Sequence, residues 1–190
     1  MAAVETFEVD QSVLPAPGTW NLDTTHTEVS FTARHLMVTK VRGRFPVQSG
    51  AVTIADNPLE SSVVAVIDVA GVNSGEAGRD DHLRNADFFE VDKYPTVTFK
   101  STKVEHEGGS DYKVTGDLTI KDVTRPVTLE LEYLGTVASP FGDQRAGFSA
   151  HTEISRKDWG ITFNMALEGG GVVVGDKIKL DIEAEAILEK

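Results

Sequence analysis

The sequence contains no cysteine among its 190 residues. Disulfides, thiolate nucleophiles and cysteine-based metal sites are therefore excluded. Basic residues are also scarce, because 18 Lys and Arg stand against 30 Asp and Glu, which gives a formal net charge of −12. Since affinity for a polyanion comes mainly from Lys and Arg, this balance argues against a nucleic-acid partner and against docking on an anionic membrane face.

Long uninterrupted apolar runs are absent as well. No window of the sequence is long enough to cross a bilayer as a helix, so we predict no transmembrane segment. Residues 1–18 contain three acidic residues and no Lys or Arg, which does not match a signal peptide, and we therefore expect a cytoplasmic protein. We interpret residues 1–18 as an N-terminal leader and residues 19–190 as one domain.

The prominent pattern is a two-residue alternation. Apolar and polar or charged residues alternate along residues 127–133 and again along residues 178–186. Successive side chains of a strand point to opposite faces, so each run has one apolar and one polar face. About eight such runs, joined mostly by short turns, predict an all-β antiparallel barrel. A β-sandwich is the competing architecture, and the long, even strands favour the barrel.

Two segments interrupt the alternation, and we interpret both as helical insertions. Residues 35–42 include three consecutive apolar residues, and we expect a short helical turn across one end of the sheet. Residues 76–86 are mostly polar, and the apolar residues in and just after this stretch fall at helical spacing. This second segment predicts a short helix.

The barrel interior is the first candidate site. A barrel of about eight strands either is filled by its own side chains or holds one ligand, and the sequence leaves both alternatives open. Leu180 and Ile182 of the last strand lie on the predicted inward phase. The predicted inward residues that would contact a ligand are Val29, Phe31, Phe45, Val64, Val66, Phe99, Leu118, Ile120, Leu129, Leu131 and Phe148.

Residues 157–176 are the second candidate, because they combine large apolar residues with consecutive glycines. Trp159, Phe163, Met165 and Leu167 precede Gly169–Gly171. One interpretation is a flap with adaptable Met contacts over an opening of the barrel. The other is a hydrophobic cluster that closes the barrel end.

The third candidate is the polar run Arg79-Asp80-Asp81-His82. Arg79 and His82 could orient a lipid head group, or the run could be a hydrogen-bonded network that holds the helix on the barrel rim. A metal site is disfavoured because one Asp–His pair falls short of the ligands that zinc requires. An enzyme that uses His82 with Asp80 or Asp81 on a lipid-like substrate is the alternative function. We expect no metal and no cofactor.

Several short motifs occur in an order and spacing that span residues 19–189. They are Trp20–Asp23, His26-Thr27, Phe31, His35-Leu36, Gly43–Phe45, Arg79–Leu83, Ala86–Phe89, Tyr94-Pro95, Phe99–Ser101, Gly116–Ile120 and Arg156–Gly160. In this combination the chain resembles the YceI-like family, also known as the lipid-binding or polyisoprenoid-binding family.

The resemblance implies a lipocalin-like barrel that holds a long isoprenoid or similar amphipathic lipid, and a homodimer in several members. Together with the apolar interior and the lack of a recognisable nucleophile, it favours non-enzymatic binding, transport or storage of a long apolar ligand. The predicted ligand contacts then extend beyond the interior strands. The additional residues are Arg79, His82, Phe88, Phe89, Trp159, Phe163, Met165 and Leu167.

Overall fold

The computed structural model describes residues 14–190 and the backbone of two residues before them. The strands are β1 (Val9–Asp10), β2 (Gly18–Leu22), β3 (Glu28–His35), β4 (Thr39–Ile54), β5 (Ser62–Asp68), β6 (Thr96–Gly108), β7 (Asp111–Ile120), β8 (Val123–Ala138), β9 (Gln144–Ser155) and β10 (Val174–Leu188). Helix α1 comprises Ala77–Arg84, and short 3₁₀ turns comprise Pro58–Glu60 and Arg156–Trp159.

Strands β3 to β10 form a closed antiparallel barrel of eight strands, which confirms the predicted fold class. Each strand pairs with the next along the chain, and β10 closes the ring by pairing with β3. Strand β2 pairs with both β4 and β10 and therefore continues the position of β3. Closure leaves no long unpaired edge, which a sandwich would retain.

The connections lie at two ends of the barrel, because neighbouring strands are antiparallel. We call one the helix end; it carries the β3–β4 hairpin, residues 69–95 with α1, and residues 156–173. We call the other the tryptophan end; it carries Trp20 and the β8–β9 turn.

The tryptophan end is closely packed. Trp20, Ala146 and Ala186 are each 0% exposed, so the indole lies against small side chains of β9 and β10. The indole Nε1 donates a hydrogen bond to the carbonyl of Ala16 at 2.9 Å. The last residues of the predicted leader therefore pack on the barrel, and the boundary at residue 18 stays a prediction.

Helix α1 confirms the helix predicted over residues 76–86. The Glu76 side chain accepts hydrogen bonds from the amides of Gly78 and Arg79 at 3.0 and 2.6 Å, which satisfies two of the free N–H groups at the helix start. Among the described residues, no helix is both long and apolar enough to cross a membrane.

The helical turn predicted within residues 35–42 is wrong. The β3–β4 ladder continues to the pair of His35 with Thr39, and residues 36–38 form a hairpin turn closed by a 3.1 Å hydrogen bond from Val38 N to the His35 carbonyl. Consecutive apolar residues suggested burial, but this turn projects into solvent. Strand pairing on both sides overrides the local pattern.

Candidate functional site

An apolar cavity of about 290 Å³ occupies the barrel interior. Its lining reaches from Leu83 and Val174 at the helix end to Leu14 and Tyr112 toward the tryptophan end. Arg156 is the one charged residue among the described residues that line it. The volume lies at the lower limit of the range of roughly 300–1,000 Å³ that is usual for ligand pockets. The interior is thus neither filled by its own side chains nor polar.

Most of the predicted interior residues line this cavity. Because β-strand side chains alternate, the inward phase of each regular strand could be read from the sequence. Leu180 and Ile182 of β10 also line it. The predicted contacts that the structure places on the cavity wall are Val29, Phe31, Phe45, Phe88, Phe89, Phe99, Leu118, Ile120, Leu129, Leu131 and Phe148.

Val64 and Val66 were placed on the wrong face of β5. Val64 is 45% exposed and pairs with Lys100, whereas its neighbour Ala65 lines the cavity and pairs with Phe99. Residues 63–67 are a continuous apolar run, so β5 has no alternation from which to read its inward phase. The register with β6 decides it.

Two glycines let phenylalanine rings lie along the cavity wall. Phe31 lies over Gly43 of β4, and Phe99 lies over Gly116 of β7. A Cβ added at either glycine would overlap the neighbouring ring. Such close approach is a role that only glycine can fill within a strand.

Arg156 anchors the loop that crosses the helix end. Its guanidinium donates to the carbonyls of Gly175 at 3.0 Å, Ile161 at 2.9 Å and Val174 at 3.3 Å, with Asp176 Oδ1 at 3.4 Å. Burial lowers the pKa of Arg156, and the charge of Asp176 opposes that shift. Sequence reasoning found no role for Arg156 beyond membership of a family motif, because its partners are backbone carbonyls up to nineteen residues away.

Trp159 and Phe163 help to close the helix end and do not line the cavity. The Trp159 indole is 3% exposed, and its Nε1 donates to the Leu118 carbonyl at 3.0 Å. The Phe163 ring packs against His82 and Phe88, with centroid distances of 4.8 and 5.4 Å. Their contacts match the predicted hydrophobic cluster that closes the barrel end.

Met165 and Leu167 lie farther out on the same loop, residues 160–173, which we call the flap. Met165 is 60% exposed, and Leu167 begins a turn closed by a 3.0 Å hydrogen bond from Gly170 N to the Leu167 carbonyl. Neither side chain lines the cavity. The base of the flap matches the predicted closing cluster, whereas its outer part projects from the barrel.

Arg79 and Asp80 form a structural network around Ser74. Arg79 donates to the Ser74 hydroxyl and carbonyl, both at 2.8 Å. The Ser74 hydroxyl and amide in turn donate to Asp80 Oδ1 at 2.5 and 2.8 Å. Burial would raise the pKa of Asp80, but the two Ser74 hydrogen bonds and the charges of Arg84 and Arg79 hold it below its ordinary value. The network holds α1 to the preceding loop.

His82 does not meet the geometry that the enzyme alternative requires. Its Nε2 lies 2.9 Å from Asp87 Oδ2, so its partner is neither Asp80 nor Asp81. Neither Arg79 nor His82 lines the cavity, so contact of these two residues with a head group stays a prediction. The structural interpretation of this run fits the contacts best.

A second polar cluster lies near the tryptophan end, where His26, Asp23 and Glu185 bring one ligand atom each within 4.8 Å of one another. Arg145 occupies the same cluster: its Nη1 donates to Glu185 and, at 3.1 Å, to Asp23, and its Nε donates to Asp143 at 3.0 Å. Because the Arg145 guanidinium already donates to both Asp23 and Glu185, the geometry favours an ion network over a metal site.

The contacts within this ion network lower the pKa of Asp23 and raise the pKa of His26. The hydrogen bond from the Thr25 hydroxyl, followed by the one from His26, holds the pKa of Asp23 well below its ordinary value. The hydrogen bond to Asp23 and the charge of that carboxylate raise the pKa of His26. The sequence assigned no role to His26, whose partners are Asp23 and Thr25 of its own turn and Glu185 of β10.

Comparison with known proteins assigns the family. The family model of the YceI-like domain matches residues 20–186, and the chain therefore belongs to the YceI-like family. A UPF0312 protein of Vibrio cholerae is 39% identical over 137 residues, which cover 72% of each chain. A UPF0312 protein of Staphylococcus aureus is 36% identical over 168 residues, covering 87% of this chain and 95% of that one.

Solved structures share the barrel. The YCEI protein of Campylobacter jejuni is 32% identical with a TM-score of 0.66, covering 83% of this chain and 90% of that chain. BcnA of Burkholderia cenocepacia is 24% identical, has a TM-score of 0.73 and covers 87% and 99%. A polyisoprenoid binding domain from Saccharophagus degradans is 17% identical, has a TM-score of 0.65 and covers 90% and 98%. The last two show the fold alone.

Proposed function

We propose that this protein binds one long-chain apolar molecule, an isoprenoid or similar amphipathic lipid, inside the barrel and carries or stores it unchanged. The observation that carries the proposal is the unfilled apolar cavity between the two barrel ends. A dry apolar cavity of this kind stays empty of water and accepts apolar guests.

Three polar residues on the cavity wall, Arg156, Thr27 and Ser61, are already engaged, which supports recognition by shape. The three shortest hydrogen bonds of the Arg156 guanidinium go to backbone carbonyls, and Thr27 Oγ1 donates to the Glu185 carbonyl at 3.2 Å. Ser61 Oγ accepts from the Ala55 amide at 3.1 Å. A ligand would therefore be held by apolar contact along its chain, with any polar head at an end of the barrel.

The absence of catalysis is part of the proposal. The enzyme alternative required His82 beside Asp80 or Asp81 and facing a substrate, whereas its ring lies at the rim against Phe88 and Phe163. The ligand class is supported by family membership and by the polyisoprenoid binding ascribed to the Saccharophagus degradans domain of the same fold. The homodimer and the cytoplasmic location stay predictions.

Organic extraction of the purified protein followed by mass spectrometry tests the proposal. We expect an apolar molecule from the wild type and from His82→Ala. Ala65→Phe adds a ring to the cavity wall and is expected to abolish recovery, while Val64→Phe adds the same ring on the outer face of β5 as the matched control. An empty wild-type extract, or equal recovery from the two phenylalanine variants, would contradict binding in the barrel.

A further inference from the structure

The tip of the β3–β4 hairpin is apolar and exposed. Leu36, Met37 and Val38 are 39%, 55% and 74% exposed, and together we call them the apolar tip. Single exposed apolar side chains are ordinary, but three in succession at a hairpin turn form a contiguous patch.

The flap adds to this patch. The Leu36 amide donates to the Val173 carbonyl at 2.9 Å, and the Val173 amide donates to the Met165 carbonyl at 3.1 Å, so the two loops are joined by their backbones. Met165 is itself 60% exposed. Four of the eight most exposed large apolar side chains among the described residues thus lie on these two joined loops.

The apolar tip is held in an unfavourable backbone conformation. Leu36 and Met37 have φ values of 50° and 61°. Hairpin turns with positive φ normally use Asn, Asp or Gly, and other residues there are strained. Since neither side chain is buried, packing within this chain does not explain why Leu and Met stand at these positions.

The strands below the tip form a local positive surface. Residues 29–55 contain no Asp or Glu, although the whole chain has a net charge of −12. Arg34 of β3 and Lys40 of β4 lie opposite each other in the hairpin register, and Arg42 follows Lys40 on the same exposed face of β4. Within residues 14–190, no carboxylate lies within 4.0 Å of these three cations. Glu168 is the only acidic residue of the flap.

We propose that the helix end docks on an anionic lipid bilayer, with the apolar tip and Met165 in the interfacial layer and Arg34, Lys40 and Arg42 against the lipid phosphates. Apolar insertion next to basic residues is the usual arrangement of proteins that lie on membranes. The whole-chain charge predicted the opposite, but the field near a surface depends on the local distribution of charge. The attraction is confined to the β3–β4 hairpin, because residues 69–95 of the same end carry six acidic residues against three basic ones. Docking extends beyond ligand binding and does not depend on it.

Co-sedimentation of the full chain with vesicles tests the docking. We expect binding to vesicles of phosphatidylcholine and phosphatidylglycerol in equal parts, and little binding to phosphatidylcholine alone. Replacing Arg34, Lys40 and Arg42 by Gln is expected to weaken binding about 100-fold, since each cation near an anionic surface contributes roughly fivefold. The control replaces Lys100, Lys103 and Lys113 by Gln, which changes the net charge equally and should retain binding.

A second variant separates insertion from attraction. Leu36→Asn with Met37→Gly supplies residues that favour positive φ, so the barrel should stay folded while binding falls about tenfold or more. Phe141→Ser, at the exposed β8–β9 turn, is the apolar control and should bind as the wild type does. Because the chain has no cysteine, Val38→Cys can carry a polarity-sensitive dye that should shift to shorter wavelength on anionic vesicles.

Failure of the wild type to bind anionic vesicles would overturn the proposal, as would equal loss in the two triple-Gln variants. Full binding by the Asn-Gly variant would also overturn it and would indicate a surface for soluble polyanions. These outcomes are independent of whether an apolar molecule is recovered from the barrel, so docking and ligand binding fail separately.

Discussion

The two ends of the barrel are built by different interactions. At the tryptophan end, strands meet through close packing, with Trp20 fully buried against Ala146 and Ala186. At the helix end, two long connections cross the opening, and guanidinium groups hold their backbones. Arg84 donates to the Ala70 and Val72 carbonyls at 2.8 and 3.0 Å, and Arg156 donates to carbonyls of the flap and β10.

This difference suggests separate roles: packing at the tryptophan end stabilises the barrel, and the connections at the helix end control access to its interior. Loss of packing at the tryptophan end affects the strands that close the barrel, whereas loss of a hydrogen bond at the helix end affects a connection and leaves the strand ladders intact. Local unfolding units of low stability are the regions where ligand-binding proteins open. We therefore expect the proposed ligand to enter at the helix end, where a connection can open without unpairing the barrel strands.

The largest effect is expected at Trp20. Trp20→Ala should lower the free energy of unfolding by about 4 kcal/mol, because it leaves a large cavity in a closely packed cluster. Chemical denaturation measures this, and amide exchange should accelerate throughout β2, β9 and β10. Val64→Ala, at an exposed position, should change stability by less than about 0.5 kcal/mol. A small effect of Trp20→Ala on the free energy of unfolding would contradict the conclusion that packing at the tryptophan end holds the barrel strands together.

Arg156→Met should lower the free energy of unfolding by about 3 kcal/mol, because it leaves buried carbonyls without a donor. Amide exchange should accelerate chiefly in residues 160–175, the flap and the start of β10. Lys157→Met is the control, since that exposed lysine makes a surface pair with Asp176 and should cost less than about 1 kcal/mol. Uniform acceleration across all strands would show that the helix end is not a separate unit.

Asp80→Asn should lower the free energy of unfolding by about 1–2 kcal/mol at neutral pH, because the charged acceptor of the Ser74 hydrogen bonds is lost. The folded pKa of Asp80 lies below its ordinary value, so its contribution is present above that ordinary value and is lost as pH falls through the folded pKa. Denaturation curves from pH 7 to strongly acidic pH should therefore converge for wild type and variant. Asp81→Asn, whose side chain is 79% exposed, should not change this pH dependence.

The smallest effect concerns His26. Its folded pKa is raised, so its contribution to stability is complete below the ordinary value of 6.5 and is lost as pH rises through the folded pKa. The melting temperature of the wild type should exceed that of His26→Gln at acidic pH near 6, and the two should approach each other under alkaline conditions. His151→Gln, which removes an exposed pair with Glu130, is the control. A difference that grows with pH would contradict the assigned cluster.

The regular strands could be predicted because alternation states directly which side chains face inward. Phe148 and Leu131 were placed on the cavity wall from local pattern alone. The same rule failed for Val64, where the apolar run carries no alternation and the inward phase depends on pairing with β6. Alternation therefore predicts the inward face of a strand where the other face is polar. Where both faces are apolar, the register with the neighbouring strand decides which face is inward.

The helix end was predicted less well, because its contacts are between side chains and distant backbone. Arg156 binds carbonyls that no sequence pattern marks, and the sequence could not decide between a head-group contact and a structural network for Arg79, which donates to Ser74. The apolar tip was mistaken for a helical turn for a related reason. Apolar residues usually indicate burial, and an exposed apolar turn violates the assumption on which that inference rests.

The width of the barrel interior depends on two glycines that have no side chain. Gly43 and Gly116 leave room for the Phe31 and Phe99 rings to lie against the sheet. One methyl group at either position would push a ring toward the barrel axis, where a guest chain would otherwise lie. Alanine at position 43 would meet chiefly the Phe31 ring and would narrow the interior without adding a polar group. Alanine at position 116 would also come within 2.6 Å of the Lys100 carbonyl, so it would disturb the β6–β7 pairing as well.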